Sequence, residues 1–91
     1  MDAKTRKTLA VILSLLEEAQ QRLGDESMSE VRDAAEAEQE KFDNMSAGLQ
    51  ASENGQRIET AASALSSAAD EIEAATNSLD EAIGHLNEAM E

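Results

Sequence analysis

The chain has 91 residues, 20 of them acidic and seven basic, for a formal net charge of −13, with no cysteine, proline or tryptophan and a single phenylalanine. This length excludes two independent domains, the lack of cysteine excludes disulfides and thiolate metal sites, and the charge disfavours direct binding to nucleic-acid phosphates. Apolar residues make up 41% of the chain, but many are alanine, so a lone hairpin buries a thin core and self-association would add the missing area.

Asp2 can cap a first helix that continues at least to Leu23. Leu9, Leu16 and Leu23 recur at intervals of seven and are supported by Ile12, Leu13 and Ala19. Val11 and Leu15 widen the stripe beyond one seam, so the helix is expected to touch more than one neighbour. Lys4, Arg6 and Lys7 followed by the apolar run Leu9–Leu16 imitate the start of a secretory leader. Glu17 and Glu18 follow at once without a cleavage site, and the run is far shorter than the ~18–20 residues that span a bilayer. It reads as a core helix.

Gly24 to Glu30 is an ambiguous joint. Gly24 can close one helix, and Ser27 with Glu30 matches a capping box that opens another. Against a break, Leu9, Val31 and Phe42 fit an eleven-residue spacing that one straight helix satisfies. The seam phase shifts between Leu23 and Met28, which favours a kink or short interruption near Gly24. Beyond it, Ser29 to Lys41 is helical, with Val31, Ala35 and Phe42 inward and Glu36, Glu38 and Glu40 outward.

Residues 44–55 form the turn. Asp43 or Asn44 can cap a short helical turn through Leu49, Gly48 and Gly55 supply flexible backbone, and Ser52 or Asn54 caps the last helix. The last arm carries the clearest pattern in the chain. Ile58, Leu65, Ile72, Leu79 and Leu86 recur every seven residues, and three residues after each comes Ala61, Ala68, Ala75, Ala82 or Ala89. A further row reads Ala62, Ala69, Thr76, Ile83 and Met90. Large residues at one seam position and alanine at the other predict close helix approach along the alanine row, with Ala74 facing water. The result is an all-α fold, a long antiparallel helical hairpin in one domain over 1–91: arm 3–43, turn 44–55, arm 56–90. Two such hairpins are expected to form a bundle through Leu9, Ile12, Leu13, Leu16, Leu23, Ile58, Leu65, Ile72, Leu79 and Leu86.

The segment Phe42-Asp43-Asn44-Met45, the small-residue turn with Leu49-Gln50, then Ser52-Glu53-Asn54-Gly55 and an alanine- and glutamate-rich helix resemble small phage and prophage proteins. The resemblance covers residues 38–91 and is specific mainly in the turn. Ser46 stands where proline is common, and the N-terminal arm is longer. The likeness implies a phage-type helical hairpin and carries over no catalytic residues.

Nothing after Arg57 is Lys or Arg, so from Ile58 onward the last arm carries carboxylates and no fixed positive charge. Glu59, Asp70, Glu73, Asp80, Glu81 and Glu88 form a candidate band for a protein partner with a basic surface, although acidic faces most often serve solubility. The basic tip of Lys4, Arg6 and Lys7 is expected beside the acidic C-terminal end rather than on a membrane. His85 is the only histidine; Glu81 one turn earlier misses the Glu-x-x-His spacing of carboxylate metal bundles. No cofactor, metal or catalytic residue is expected, and the chain reads as a non-enzyme. The function expected is that of a phage or prophage accessory protein in the bacterial cytoplasm that acts by protein binding, an anti-CRISPR-like inhibitor of a defence complex being one form. A structural or assembly coiled coil and a host-directed transcription regulator are the alternatives.

Overall fold

The computed structural model describes residues 1–91 as a rod 67 × 16 × 15 Å along its principal axes. It comprises α1 (Ala3–Arg22), a π-helical segment (Leu23–Ser27), α2 (Met28–Asp43), a single turn α3 (Ala47–Gln50) and α4 (Glu53–Ala89). The first three run on as one arm, and α4 returns antiparallel along them. No strand is present, and no helix is long and apolar enough to cross a membrane.

Asp2 starts the first arm: its extended backbone leads into α1 and its carboxylate accepts the Thr5 N–H at 2.7 Å. The joint at Gly24 does not break the helix. Ser27 is itself right-handed helical with no side-chain cap bond, so neither the glycine stop nor the Ser27–Glu30 box is used. Instead the Met28 N–H reaches the Leu23 carbonyl, five residues back. Leu23 and Val31 are eight residues apart, which at about 100° per residue sets them about 80° out of phase. The extra residue held in the wider π turn takes most of that rotation back, so both keep facing α4. The phase shift visible in the sequence is thus absorbed inside a continuous arm.

The connection between arms is built by side chains. Asn44 ends α2 with its backbone still right-handed, and Ser46, rather than Asp43 or Asn44, caps α3 by accepting the Leu49 N–H. The Gln50 amide donates to the Phe42 carbonyl at 2.9 Å, and the Gln56 amide donates to the Gln50 carbonyl at 2.9 Å. Ser52 caps α4 by accepting the Gly55 N–H at 3.1 Å, so the last helix begins at Glu53, before residue 56. Neither Gly48 nor Gly55 has a left-handed backbone. Gly55 is required by space: a Cβ there would meet the Leu49 carbonyl oxygen and lie 2.7 Å from that of Gln50. The Ser-x-x-Gly sequence therefore combines a cap with a close approach of α4 to α3.

The seam follows the large heptad row and the row four residues on. Ile58, Leu65, Ile72, Leu79 and Leu86 are half-buried, while Ala62 and Ala69 are 3% and 0% exposed. This corrects the expected position of the alanine row. Ala68, Ala75 and Ala89 are exposed, and Ala61 and Ala82 are only half-buried. A single partner arm covers a narrow stripe, and on α4 that stripe leans toward the fourth residue of each heptad step, leaving the third uncovered. Glu38 also departs from expectation. Its side chain is 25% exposed, in line with Val31, Ala35 and Phe42, and its carboxylate pairs with Lys41 at 2.9 Å.

No large side chain is fully buried. The three buried residues, Gly55, Ala62 and Ala69, all lie in the half of α4 nearer the turn. Toward the free ends Leu9, Leu13, Leu16, Leu23, Leu79 and Leu86 are half-buried, Ile12 is 40% exposed, and Val11 and Leu15 are 63% and 60% exposed. The residues expected to join two hairpins mostly face the opposite arm of their own chain.

Candidate protein-binding surface

The six carboxylates proposed as a band all lie on α4 and are all exposed, but they do not share one surroundings. Three sit on the flank turned toward the first arm. Arg32 of α2 reaches across with one guanidinium nitrogen 3.0 Å from Glu73 and 3.5 Å from Asp70. The Gln20 amide donates to Asp80 at 3.2 Å and, at the edge of hydrogen-bond range, to the Thr76 carbonyl at 3.5 Å. Asp70, Glu73 and Asp80 are therefore partly engaged within the chain rather than turned wholly outward.

Glu59, Glu81 and Glu88 remain exposed, and none of the five ion pairs in the structure includes them. Glu71, a further exposed carboxylate on α4, is also unpaired. The physical cause is plain from composition: α4 holds one basic residue, Arg57, and that pairs with Glu53 four residues before it at 2.8 Å. Over the rest of α4, positive charge comes only from the first arm, which delivers it to the carboxylates at Arg32 and to the C-terminal end at Arg6.

At the free ends the basic tip meets the last helix as expected from antiparallel packing, through the backbone. The Arg6 guanidinium donates to the Met90 carbonyl at 2.7 Å, at the negative end of the α4 dipole. His85 and Glu81 are both exposed, and no group of three or more His, Asp or Glu side chains is arranged to hold a metal ion. The one group whose acidity is clearly displaced is Asp2: the backbone and side-chain hydrogen bonds it accepts from Thr5 hold its carboxyl below the usual range.

Sequence reasoning found the carboxylates but missed Arg32 and Gln20. Arg32 follows Val31, an inward residue, and one step of about 100° sets it on the seam's rim, within reach of the facing helix. That signal was available. The fold and this surface define the class as an all-α helical hairpin with an acidic return helix. No known protein family, curated protein or solved structure matches the chain.

Proposed function

We propose that this chain is a non-enzymatic accessory protein, of the phage or prophage type its turn resembles, acting in the bacterial cytoplasm by binding a protein with a basic surface. An acidic inhibitor of a defence complex, anti-CRISPR-like in its use of charge, is the specific form of this reading. The observation that supports it is the set of exposed, unpaired carboxylates Glu59, Glu71, Glu81 and Glu88 on a helix with no free cation. Carboxylates kept only for solubility need no such separation from the basic residues, all seven of which lie at or before Arg57. Such a surface speeds encounter with a cationic partner, and that attraction is screened by salt.

A second reading, a homo-oligomeric structural or assembly component, draws support from exposed Val11 and Leu15. An affinity pull-down from bacterial lysate at low and high salt separates the two. Replacing Glu59, Glu81 and Glu88 together by Gln should leave helicity intact, because exposed charges contribute within about 0.5 kcal/mol each to folding. It should also remove the salt-sensitive partner. Full retention of that partner by the triple variant would refute recognition through the acidic band.

A further inference from the structure

The hairpin has two unlike flanks. Every side-chain contact between the arms, outside the turn, that is polar lies on one of them: Arg6 to Met90, Gln20 to Asp80 and Thr76, and Arg32 to Asp70 and Glu73. The other flank follows from helical periodicity. Leu15 precedes Gln20 by five residues and so sits about 140° round α1 from it, with Val11 about 180° round. On α4, Ala75 and Ala82 each follow an engaged carboxylate (Glu73 and Asp80) by two residues, which sets them about 160° away on the opposite side. Both helices thus turn apolar residues to the same flank. The contacts of Arg6 with Met90 and of Gln20 with Thr76 and Asp80 set Val11, Ile12 and Leu15, all exposed, level with the end of the alanine row, where Ala82 is half-buried and Ala89 exposed. The alanine row read from the sequence as the intramolecular seam is one edge of this open face.

We infer that this flank is a dimer interface in which a second copy packs its α1 antiparallel against α1, centred on the Val11–Leu15 segment, its neighbouring apolar residues lying over Ala82 and Ala89. The inference deepens the homo-oligomer part of the functional reading and is independent of what the acidic band binds. The rod, 67 × 16 × 15 Å and exposing 6331 Å² in all, has room for a standard interface of ~800 Å² per partner along this flank.

Charge fixes the orientation. Along the same flank of α1, Lys4 and Lys7 precede the apolar segment and Glu18 follows it. Lys7 lies about 9 Å before the segment's midpoint at residue 13 and Glu18 about 7.5 Å after it, at 1.5 Å per residue. Antiparallel pairing about that midpoint therefore brings Lys7 beside Glu18 of the second copy. Parallel pairing sets lysine on lysine and glutamate on glutamate. Glu18 already pairs with Arg22 at 2.9 Å, but both side chains are more than half exposed, so it can take a second cation. The small side chains of the alanine row allow the neighbouring helix to come close.

Sedimentation equilibrium of the purified full chain at tens of micromolar should give twice the chain mass. Leu15→Glu, at a position already 60% exposed, should keep the helical circular dichroism spectrum while weakening association by at least ~100-fold, since each dimer would then bury two charges. The chain has no cysteine, so introduced thiols report the orientation cleanly. A mixture of Lys7→Cys and Glu18→Cys chains should form the mixed disulfide on mild oxidation, and Lys7→Cys alone should not cross-link. A monomer at that concentration, or a dimer indifferent to Leu15→Glu, would overturn the interface; cross-linking of Lys7→Cys to itself would overturn the orientation. None of these measurements involves the acidic band's partner.

Discussion

Gly55 is the tightest point in the turn, and replacing it tests how the two arms are joined. The Cβ of Gly55→Ala would lie 2.7 Å from the Gln50 carbonyl oxygen and closer still to that of Leu49, both backbone atoms that cannot rotate away. α3 must shift off the start of α4. The Leu49 carbonyl accepts the Ser52 N–H at 3.1 Å and the Gln50 carbonyl accepts the Gln56 amide at 2.9 Å, so both bonds are strained by that shift. Each is worth ~0.5–1.5 kcal/mol net. The Ser52 cap on the Gly55 N–H adds ~1 kcal/mol to what is at risk. Against this, alanine in a helix gains up to ~1 kcal/mol over glycine. The balance is a loss of ~1–3 kcal/mol, or a fall in Tm of roughly 5–20 °C for a chain of this size. Gly84→Ala is the control, since nothing lies within 4 Å of a Cβ built there. It should raise Tm by a few degrees through helix propensity alone. Thermal unfolding followed by circular dichroism, at one protein concentration for all variants, measures both. Equal rises in Tm for the two would refute the close approach at Gly55.

The helical phase of α4 is tested by Ala69→Leu, which places bulk at a fully buried position and should cost ~1–3 kcal/mol, whereas Ala74→Leu, on an exposed position, should stay within about 0.5 kcal/mol. Asp2 gives a pH dependence. Its carboxyl is held below the usual range by Thr5, so its capping contribution is present above the ordinary carboxylate pKa and disappears as pH falls through the lowered value in the folded chain. The amide shift and exchange rate of Thr5, followed by NMR in an acid titration, should report fraying of the first turn of α1, and Asp2→Ala should show that fraying at neutral pH.

The large-scale fold was legible because it rests on period and on missing helix breakers. Five large residues at intervals of seven and no proline leave few alternatives to a hairpin of long helices. Several local readings went astray for physical reasons. Gly24 and the Ser27–Glu30 pair look like a stop and a start, yet a π turn corrects the phase without breaking the helix. The choice between the row of Ala75 and the row of Ala69 as the buried one turns on about 100° of helix rotation, one residue's step, which the heptad pattern alone does not resolve. The capping residue before α3 lay among several polar candidates, and only the backbone trace selects Ser46 over Asp43 and Asn44. For the candidate surface, the acidic residues could be read directly from the sequence. Their division into engaged and free groups could not, because it depends on which residues of the first arm face them.

Arg32 marks that division, and changing it probes where a cationic partner docks. Its guanidinium lies against Asp70 and Glu73 while its own side chain is 42% exposed, and both carboxylates are more than half exposed. Pairs as open as these contribute about 0–1 kcal/mol to folding, so Arg32→Gln should lower Tm by only a few degrees. The electrostatic change is larger in kind. Two carboxylates lose the one cation near them and join Glu59, Glu81 and Glu88 in an acidic surface on one side of α4, while Glu71 lies about 160° round the helix from Glu73. A partner that docks on this surface should bind Arg32→Gln more tightly, with a steeper loss of affinity as salt rises. Net charge alone could produce a similar trend, and Arg22→Gln controls for it. That variant carries the same total charge, but Arg22 pairs with Glu18 on α1, away from the band. Affinity for the partner recovered in the low-salt pull-down, measured by calorimetry at several salt concentrations, separates the two effects. Docking on α4 requires a gain for Arg32→Gln that Arg22→Gln does not share. Equal gains would reduce the acidic surface to bulk charge, and no gain for either would place the partner elsewhere on the rod.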